Sequence, residues 1–360
     1  MSTYCKDVIH GQATVAREDH GAAMLTIDEI RTACNRSEQI VLGDPMSARV
    51  DLPFKEMFYP LGFPLEIETN SEEILIAMAE SWHGFMKLFD TPPFRLRVCV
   101  RDGSSSECPP SPICRVQQHI VSSVADSENL AITDFAQGFS SVWLTKAAVA
   151  HHDYCRYFFL EASALCLICT SYTTPIHAAC VDLEGCGILL CGDSGAGKST
   201  LAYACAQAGW TYITDDASFV VNSRQDRLVV GNSNQARFRP AAQQFFQELS
   251  GKPITKRGDV GKPSIELRTS SLRNIATSYI SRVNHVVFLN RRDVKRHELA
   301  PFSSEIAKYF MLQRLFGLPD TLKVQSAMID RVLGSGALEL RYSSLDWAVE
   351  RLGRLAVEGE

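Results

Sequence analysis

Positive charge is what this chain has little of. Its 36 lysines and arginines are outnumbered by 41 aspartates and glutamates, giving a net charge of −5. A chain so balanced has no basic stripe to neutralise a phosphate backbone, so nucleic acid is not the expected partner. Long apolar runs are missing as well. The most apolar stretch, residues 154–170, carries Arg156 and Glu161 and falls short of the roughly 20 residues that a bilayer-crossing helix needs. No membrane association is expected, no apolar leader is legible, and no repeat recurs. The 12 cysteines are scattered. The only C-x-x-C, Cys166-Leu167-Ile168-Cys169, sits inside the apolar stretch with no second pair and no spaced histidines. It reads as two small core residues on a buried helix rather than a redox or zinc site. Cys108 and Cys114 flank a Ser- and Pro-rich loop and also lack metal spacing. Reduced thiols and a cytoplasmic location are the expectation.

What is present is an ordinary globular composition, 46% hydrophobic and 21% charged, over a length that suits two domains. Residues 1–150 read as an α+β region without recognisable chemistry, and residues 151–360 as the part that handles a ligand. In the first region a helix is expected at 27–35, a strand with a turn at 58–68, and a helix from Ser71 to about Phe85. Short strands at 94–100, 115–121, 130–135 and 141–144 should form a largely antiparallel sheet. In the second region the pattern predicts a helix at 153–171, a strand over 175–182 and a buried strand at 187–191. A helix at 198–208, a strand at 210–214 and a hairpin of 218–221 with 227–230 follow. Beyond them come helices at 241–249 and 303–315 around a strand at 283–290, then a helix, a strand and a closing helix at 320–333, 337–342 and 344–356.

The chemistry concentrates in Gly192-Asp193-Ser194-Gly195-Ala196-Gly197-Lys198-Ser199-Thr200, which fits G-x-x-x-x-G-K-[ST]. Glycines let backbone N–H groups close around phosphate oxygens. Lys198 reaches the outer phosphates, and the Ser199 hydroxyl suits Mg²⁺. The apolar strand before the motif and the helix after it are the context this P-loop requires, and the helix N-terminus adds unpaired N–H groups and a positive dipole end. Asp215-Asp216 ends the next strand, where open α/β sheets bind ligands. Adjacent strand residues point to opposite faces, so one carboxylate of the two should face the phosphates, as a metal ligand or a base. His177, before the motif strand, is either structural or a donor near the terminal phosphate.

In order and spacing, His177-Ala178-Ala179-Cys180-Val181, the loop 192–200 and Thr214-Asp215-Asp216 resemble the C-terminal domain of HPr kinase/phosphorylase and its wider relatives. The resemblance spans about residues 150–350 and is strongest from 175 to 217. It implies an α/β fold with a P-loop core of the phosphoenolpyruvate-carboxykinase/HPr-kinase type, joined to the N-terminal α+β region. It further implies ATP and Mg²⁺ as cofactors, with Lys198 on the phosphates and Ser199 on the metal. Asp215 would support the metal or the loop, Asp216 would be the base for an acceptor hydroxyl, and His177 would stand near the transferred phosphoryl group. One departure is plain. The family's Glu-Ile-Arg-Gly signature, which supplies a metal-binding Glu, is replaced by Ala236-Arg237-Phe238-Arg239-Pro240, which leaves Arg237 or Arg239 to contact phosphate or substrate. Relatives with the His-Ala-x-x-Val form include peptide-tailoring kinases. The expected function is an ATP-dependent kinase for a hydroxyl, Ser of a protein or peptide. A nucleotide-dependent sensor or scaffold and a small-molecule kinase are the alternatives, and assembly into a homo-oligomer stays open.

Overall fold

The computed structural model describes residues 50–256, 262–272, 274–291, 296–313 and 315–359. The helix expected at 27–35 lies outside them. Val50–Glu360 cluster as one compact unit. Its first layer is a seven-stranded sheet of β1 (Phe54–Phe58), β2 (Leu65–Thr69), β3 (Phe94–Arg101), β4 (Ile113–Gln117), β5 (Ile120–Val124), β6 (Leu130–Asp134) and β7 (Phe139–Thr145), ordered β1-β2-β3-β7-β6-β5-β4. The expected run at 115–121 is in fact the turn of a hairpin, β4–β5. Gln118 makes it at φ 52°, a residue that carries no turn signal. The sheet is mixed rather than largely antiparallel at its centre. Helix α1 (Glu72–Trp82) crosses between β2 and β3 and makes that pair parallel, and β3 also runs parallel to β7.

The helix expected at 153–171 is present but contains a π-turn. Residues His152–Cys155 and α2 (Ala162–Ser171) flank the π segment Arg156–Glu161. Phe159, Leu160, Leu167 and Ile168 bury against Leu65, Ile67, Leu96 and Leu144 of the first sheet, in a core that continues to Phe219, Val221 and Val230 of the second. The C-x-x-C cysteines belong to this core, where burial pushes both thiols up to about 12.

The second layer is a ten-stranded sheet. It is built from β8 (Thr173–Ile176), β9 (Ala178–Leu183), β10 (Cys186–Cys191), β11 (Thr211–Thr214), β12 (Ser218–Val221), β13 (Leu228–Gly231), β16 (Ala276–Thr277), β17 (Ile280–Asn290), β18 (Glu298–Phe302) and β19 (Ala337–Arg341). The one strand expected at 175–182 is two. The chain breaks at His177, because β8 pairs with β12 while β9 pairs with β10 and β11. Both faces of β10 are covered. Ile188 and Leu190 pack toward α3 (Lys198–Gln207), and Leu189 and Cys191 pack toward α4 (Ser304–Leu312) and α5 (Pro319–Val332), which is why its sequence is continuously apolar. Ala202 and Ala206 let α3 lie close on the sheet, with α6 (Leu345–Glu358) beyond it.

A two-stranded sheet of β14 (Gln235–Phe238) and β15 (Ile265–Arg268) completes the chain. The helix expected at 241–249 is instead two short 3₁₀ turns, Pro240–Gln244 and Gln247–Leu249. Between them Phe246 is extended, and its ring meets Tyr203 of α3 edge-on at 4.7 Å, a contact that a continuous helix would not make.

Candidate functional site

The glycine-rich loop joins β10 to α3. Gly192 sits at φ 145°, and a Cβ there would lie 2.9 Å from that of Ala196. Gly197 sits at φ 99°, with Tyr342 and Arg291 against the place its Cβ would take. Both positions need glycine, and the loop bends so that Lys198 opens the helix. The Lys198 ammonium donates to the carbonyls of Gly192 (2.7 Å) and Asp193 (3.2 Å), and the residue is only 6% exposed. Ser199 follows with Oγ 3.5 Å from the Asp215 carbonyl, which ties the loop to the end of β11.

The two aspartates stand in the bend just past β11 and differ in burial, although both border the same cavity. Asp215 turns inward. Its Oδ2 accepts the Arg237 N–H at 2.7 Å, and burial, with the Asp216 charge adding, pushes its carboxyl up to about 7. Asp216 is exposed to the cavity beside the loop. His177, held at the break between β8 and β9, places Nδ1 3.1 Å from the Asp216 carbonyl and 3.4 Å from its Oδ1. The sequence-predicted residues His177, Ser194, Gly195, Gly197, Lys198, Ser199, Thr200, Asp215 and Asp216 all line this one cavity of 520 Å³. Gly192, Asp193 and Ala196 line a second cavity on the other side of the loop.

The opposite wall is the part that sequence reading located least. Arg237 and Arg239 come from β14 and the residue after it, and Lys262 and Ser264 from just before β15. Arg239 Nη2 and Lys262 Nζ both donate to Ser194 Oγ, at 3.3 and 3.0 Å. Arg237 pairs with Glu266 across the hairpin (3.1 Å) and donates to Ser264 Oγ (2.8 Å). Glu266 also accepts from Tyr157 (2.7 Å) and Gln235 (2.8 Å). The π segment carries Tyr157, and Phe158 beside it lines the same cavity as Phe245. Arg291 lies over the Phe245 and Tyr342 rings. Phe158, Phe245, Lys262, Glu266 and Arg291 were not anticipated. A turn of helix with one extra residue, and a hairpin whose strands are far apart in sequence, leave no local signature.

In this mixed α/β protein, a loop that holds an ammonium between strand and helix faces an Asp–His pair and a cationic hairpin. Residues 170–239 match the HPr Serine kinase C-terminal domain family. The chain is 41% identical over 61 residues to the HPr kinase/phosphorylase of Bacillus subtilis, covering 17% of this chain and 19% of that protein. It is 40% identical over 85 residues to a putative HPr kinase/phosphorylase of Fusobacterium nucleatum, covering 23% of this chain and 12% of the other. The match thus spans about a fifth of the length of the curated relatives or less. Among solved structures it is similar to the Hpr(Ser) kinase/phosphatase from Coxiella burnetii, with 14% identity, a TM-score of 0.25, 51% of this chain covered and 99% of the other. The likeness to the HPr kinase C-terminal domain, read from His177, the glycine-rich loop and the aspartate pair, is thereby found. Among the described residues, no helix is long and apolar enough to cross a membrane.

Proposed function

We propose that this protein is an ATP- and Mg²⁺-dependent kinase, with a P-loop core of the phosphoenolpyruvate-carboxykinase type, that moves the γ-phosphoryl group to a hydroxyl, the seryl side chain of a protein or peptide. The observation that carries this reading is the convergence of Lys198, Ser199 and the Asp216–His177 pair in one cavity. Binding a nucleotide calls for the lysine and the glycine loop alone, whereas transferring its phosphoryl group calls for a proton acceptor facing them.

The donor set suits magnesium. Ser199 Oγ and the carboxylates of Asp215 and Asp216 are hard oxygen ligands gathered at the foot of the loop, and Mg²⁺ takes one or two carboxylates together with phosphate oxygens. When bound, the ion would neutralise charge on the phosphates. The protein's own residues do the rest. Lys198 exchanges its two loop carbonyls for phosphate oxygens, and the loop N–H groups hold the chain of phosphates. Asp216 accepts the hydroxyl proton as the acceptor oxygen bonds to phosphorus and the nucleoside diphosphate leaves. His177 fixes the Asp216 side chain and backbone from behind. Arg239 and Lys262, over Ser194, are placed to meet charge on the transferred group.

The same reading puts the protein in the cytoplasm. It also assigns nucleotide handling to residues 151–360. HPr, named in the relatives' titles, is the first acceptor to try. The test is transfer of label from γ-labelled ATP to HPr, and to proteins of a host lysate, with Asp216→Asn alongside the wild type. Removing the base should lower the transfer rate by about 10²–10⁴-fold while nucleotide affinity stays within a few-fold. Equal rates in the two proteins would refute the assignment of Asp216.

A further inference from the structure

The acidic balance of the chain is reversed at the end of β17 away from the glycine-rich loop. Four arginines gather there. Arg224 and Arg227 stand in the turn between β12 and β13, Arg282 near the start of β17, and Arg331 in the last turn of α5. Asp226 is the carboxylate among them. Arg224 grips it through Nε at 3.2 Å and Nη2 at 2.8 Å, and Arg282 Nε reaches it from β17 at 3.1 Å. The other two guanidinium groups have no acid. Among the described residues, Arg227 pairs with no carboxylate and donates to Ser335 Oγ at 2.9 Å, while Arg331 donates to the Arg224 carbonyl at 3.3 Å. The next carboxylate along α5, Asp330, is taken by Lys308 at 2.6 Å. The cluster is open to solvent, with the Arg224 and Arg282 side chains 49% and 66% exposed. Arg227 also holds φ 55°, a left-handed angle that glycine or asparagine takes at lower cost. Its carbonyl accepts the Val283 N–H at 3.1 Å, which ties this backbone to β17.

We infer that this arginine cluster is a docking surface for an acidic segment of a partner protein. It stands apart from the cavities at the loop. From Arg282 to Asn290, which lines one of them, β17 climbs roughly 26 Å at about 3.3 Å per residue. A single exposed arginine is ordinary. Four around one aspartate, in a chain of net charge −5, hold like charges together at a cost that an anionic occupant would offset. The left-handed Arg227 adds a second local cost, and such residues gather where a surface has work to do. Asp226 already displays the chemistry, a carboxylate held by the fork of one guanidinium and the Nε of another. Carboxylates of a partner would be taken in the same way by Arg227 and Arg331 beside it. A nucleic acid fits less well, since so short a cluster follows little of a phosphate backbone.

Fluorescence anisotropy of a labelled oligoglutamate peptide, titrated with the full chain at low salt, tests the surface without nucleotide. An oligoserine peptide of equal length and vesicles with or without phosphatidylserine serve as comparisons. The wild type should bind oligoglutamate and not oligoserine. Arg227→Gln combined with Arg331→Gln should weaken oligoglutamate binding about tenfold, since each change removes one exposed charge pair. Asp226→Asn should tighten it about threefold by releasing Arg224 and Arg282, a gain that a misfolded variant would not produce. Arg239→Gln combined with Lys262→Gln should leave it unchanged. Equal affinity of the wild type for the two peptides would overturn the docking surface. So would a loss seen only with the Arg239 and Lys262 changes, which would put the peptide in the cavity beside the loop. Binding to phosphatidylserine vesicles without binding to oligoglutamate would overturn it in favour of a lipid surface.

Discussion

The two walls of the cavity beside the glycine-rich loop are built in different ways. The loop wall is made by the backbone. Its lysine is nine-tenths buried on the carbonyls of its own loop, its glycines hold left-handed angles, and all of its chemistry falls between residues 192 and 216 apart from His177. The hairpin wall is made by side chains. Arg239 and Lys262 are exposed and meet only at a serine hydroxyl, and Arg237 is held by Glu266 from the neighbouring strand. In the proposed kinase, a backbone wall would fix what every substrate shares, the phosphate chain. A side-chain wall can be re-cut by single substitutions, and it is the wall that would meet the acceptor. The contrast implies that damage to the first should abolish activity on all acceptors, while damage to the second should alter it by degrees.

The largest effect expected is at Lys198. Its ammonium leaves two carbonyls for phosphate oxygens, so Lys198→Ala removes a buried positive charge from the centre of the loop. Turnover should fall about 10³-fold, with the same factor for every acceptor tried. Steady-state rates with two unrelated acceptors check this. A loss that differs tenfold between them would break the comparison, since it would give the loop wall a role in choosing substrates.

What the sequence made legible follows the same division. The loop, the strand before it and the helix after it were readable because a glycine-rich strand-to-helix turn is a local device. Residues 192–200 carry their own conformational demands, whereas Asp215 and Asp216 stand in the bend past β11 and both border the cavity, so strand alternation does not govern them. The break at His177 was not readable, since nothing local in residues 175–182 marks where pairing passes from β12 to β10 and β11. The β14–β15 hairpin was not readable either. Each of its strands is four residues long, and what pins them together is a pairing such as Arg237 with Glu266 that no period in the sequence announces. In the first layer β3, β6 and β7 were visible from alternation, but β4 and β5 were read as one run across their turn, and the parallel pairing of β3 with β2 and β7 is a matter of how crossovers pack.

A smaller and more selective effect is expected from the exposed cations. Arg239→Ala or Lys262→Ala should each lower kcat about tenfold, because each removes one partly solvated charge from the transferred group rather than a buried one. Both converge on Ser194 Oγ, so the double variant should lose less than the product of the two single losses. Rates for the two single variants and the double, measured at saturating nucleotide, form the cycle. Full additivity would mean that the two cations act on separate groups and that the hairpin is no single wall.

The smallest effect on rate, and the sharpest on the comparison, is expected at Glu266. Its carboxylate receives Arg237, Tyr157 and Gln235 at once, so it joins β14, β15 and the π-turn of the first core. Glu266→Gln keeps the shape and removes the charge. Arg237 is about a quarter exposed, so water offsets part of the loss, and the cost should be about 1–2 kcal/mol, a fall of a few degrees in Tm. Nucleotide affinity should stay unchanged, since no loop residue is touched, while KM for the acceptor rises as Arg237 and Phe158 lose their common anchor. A fall in nucleotide affinity equal to the rise in acceptor KM would show that the hairpin and the loop move as one body, and the division between the two walls would then fail.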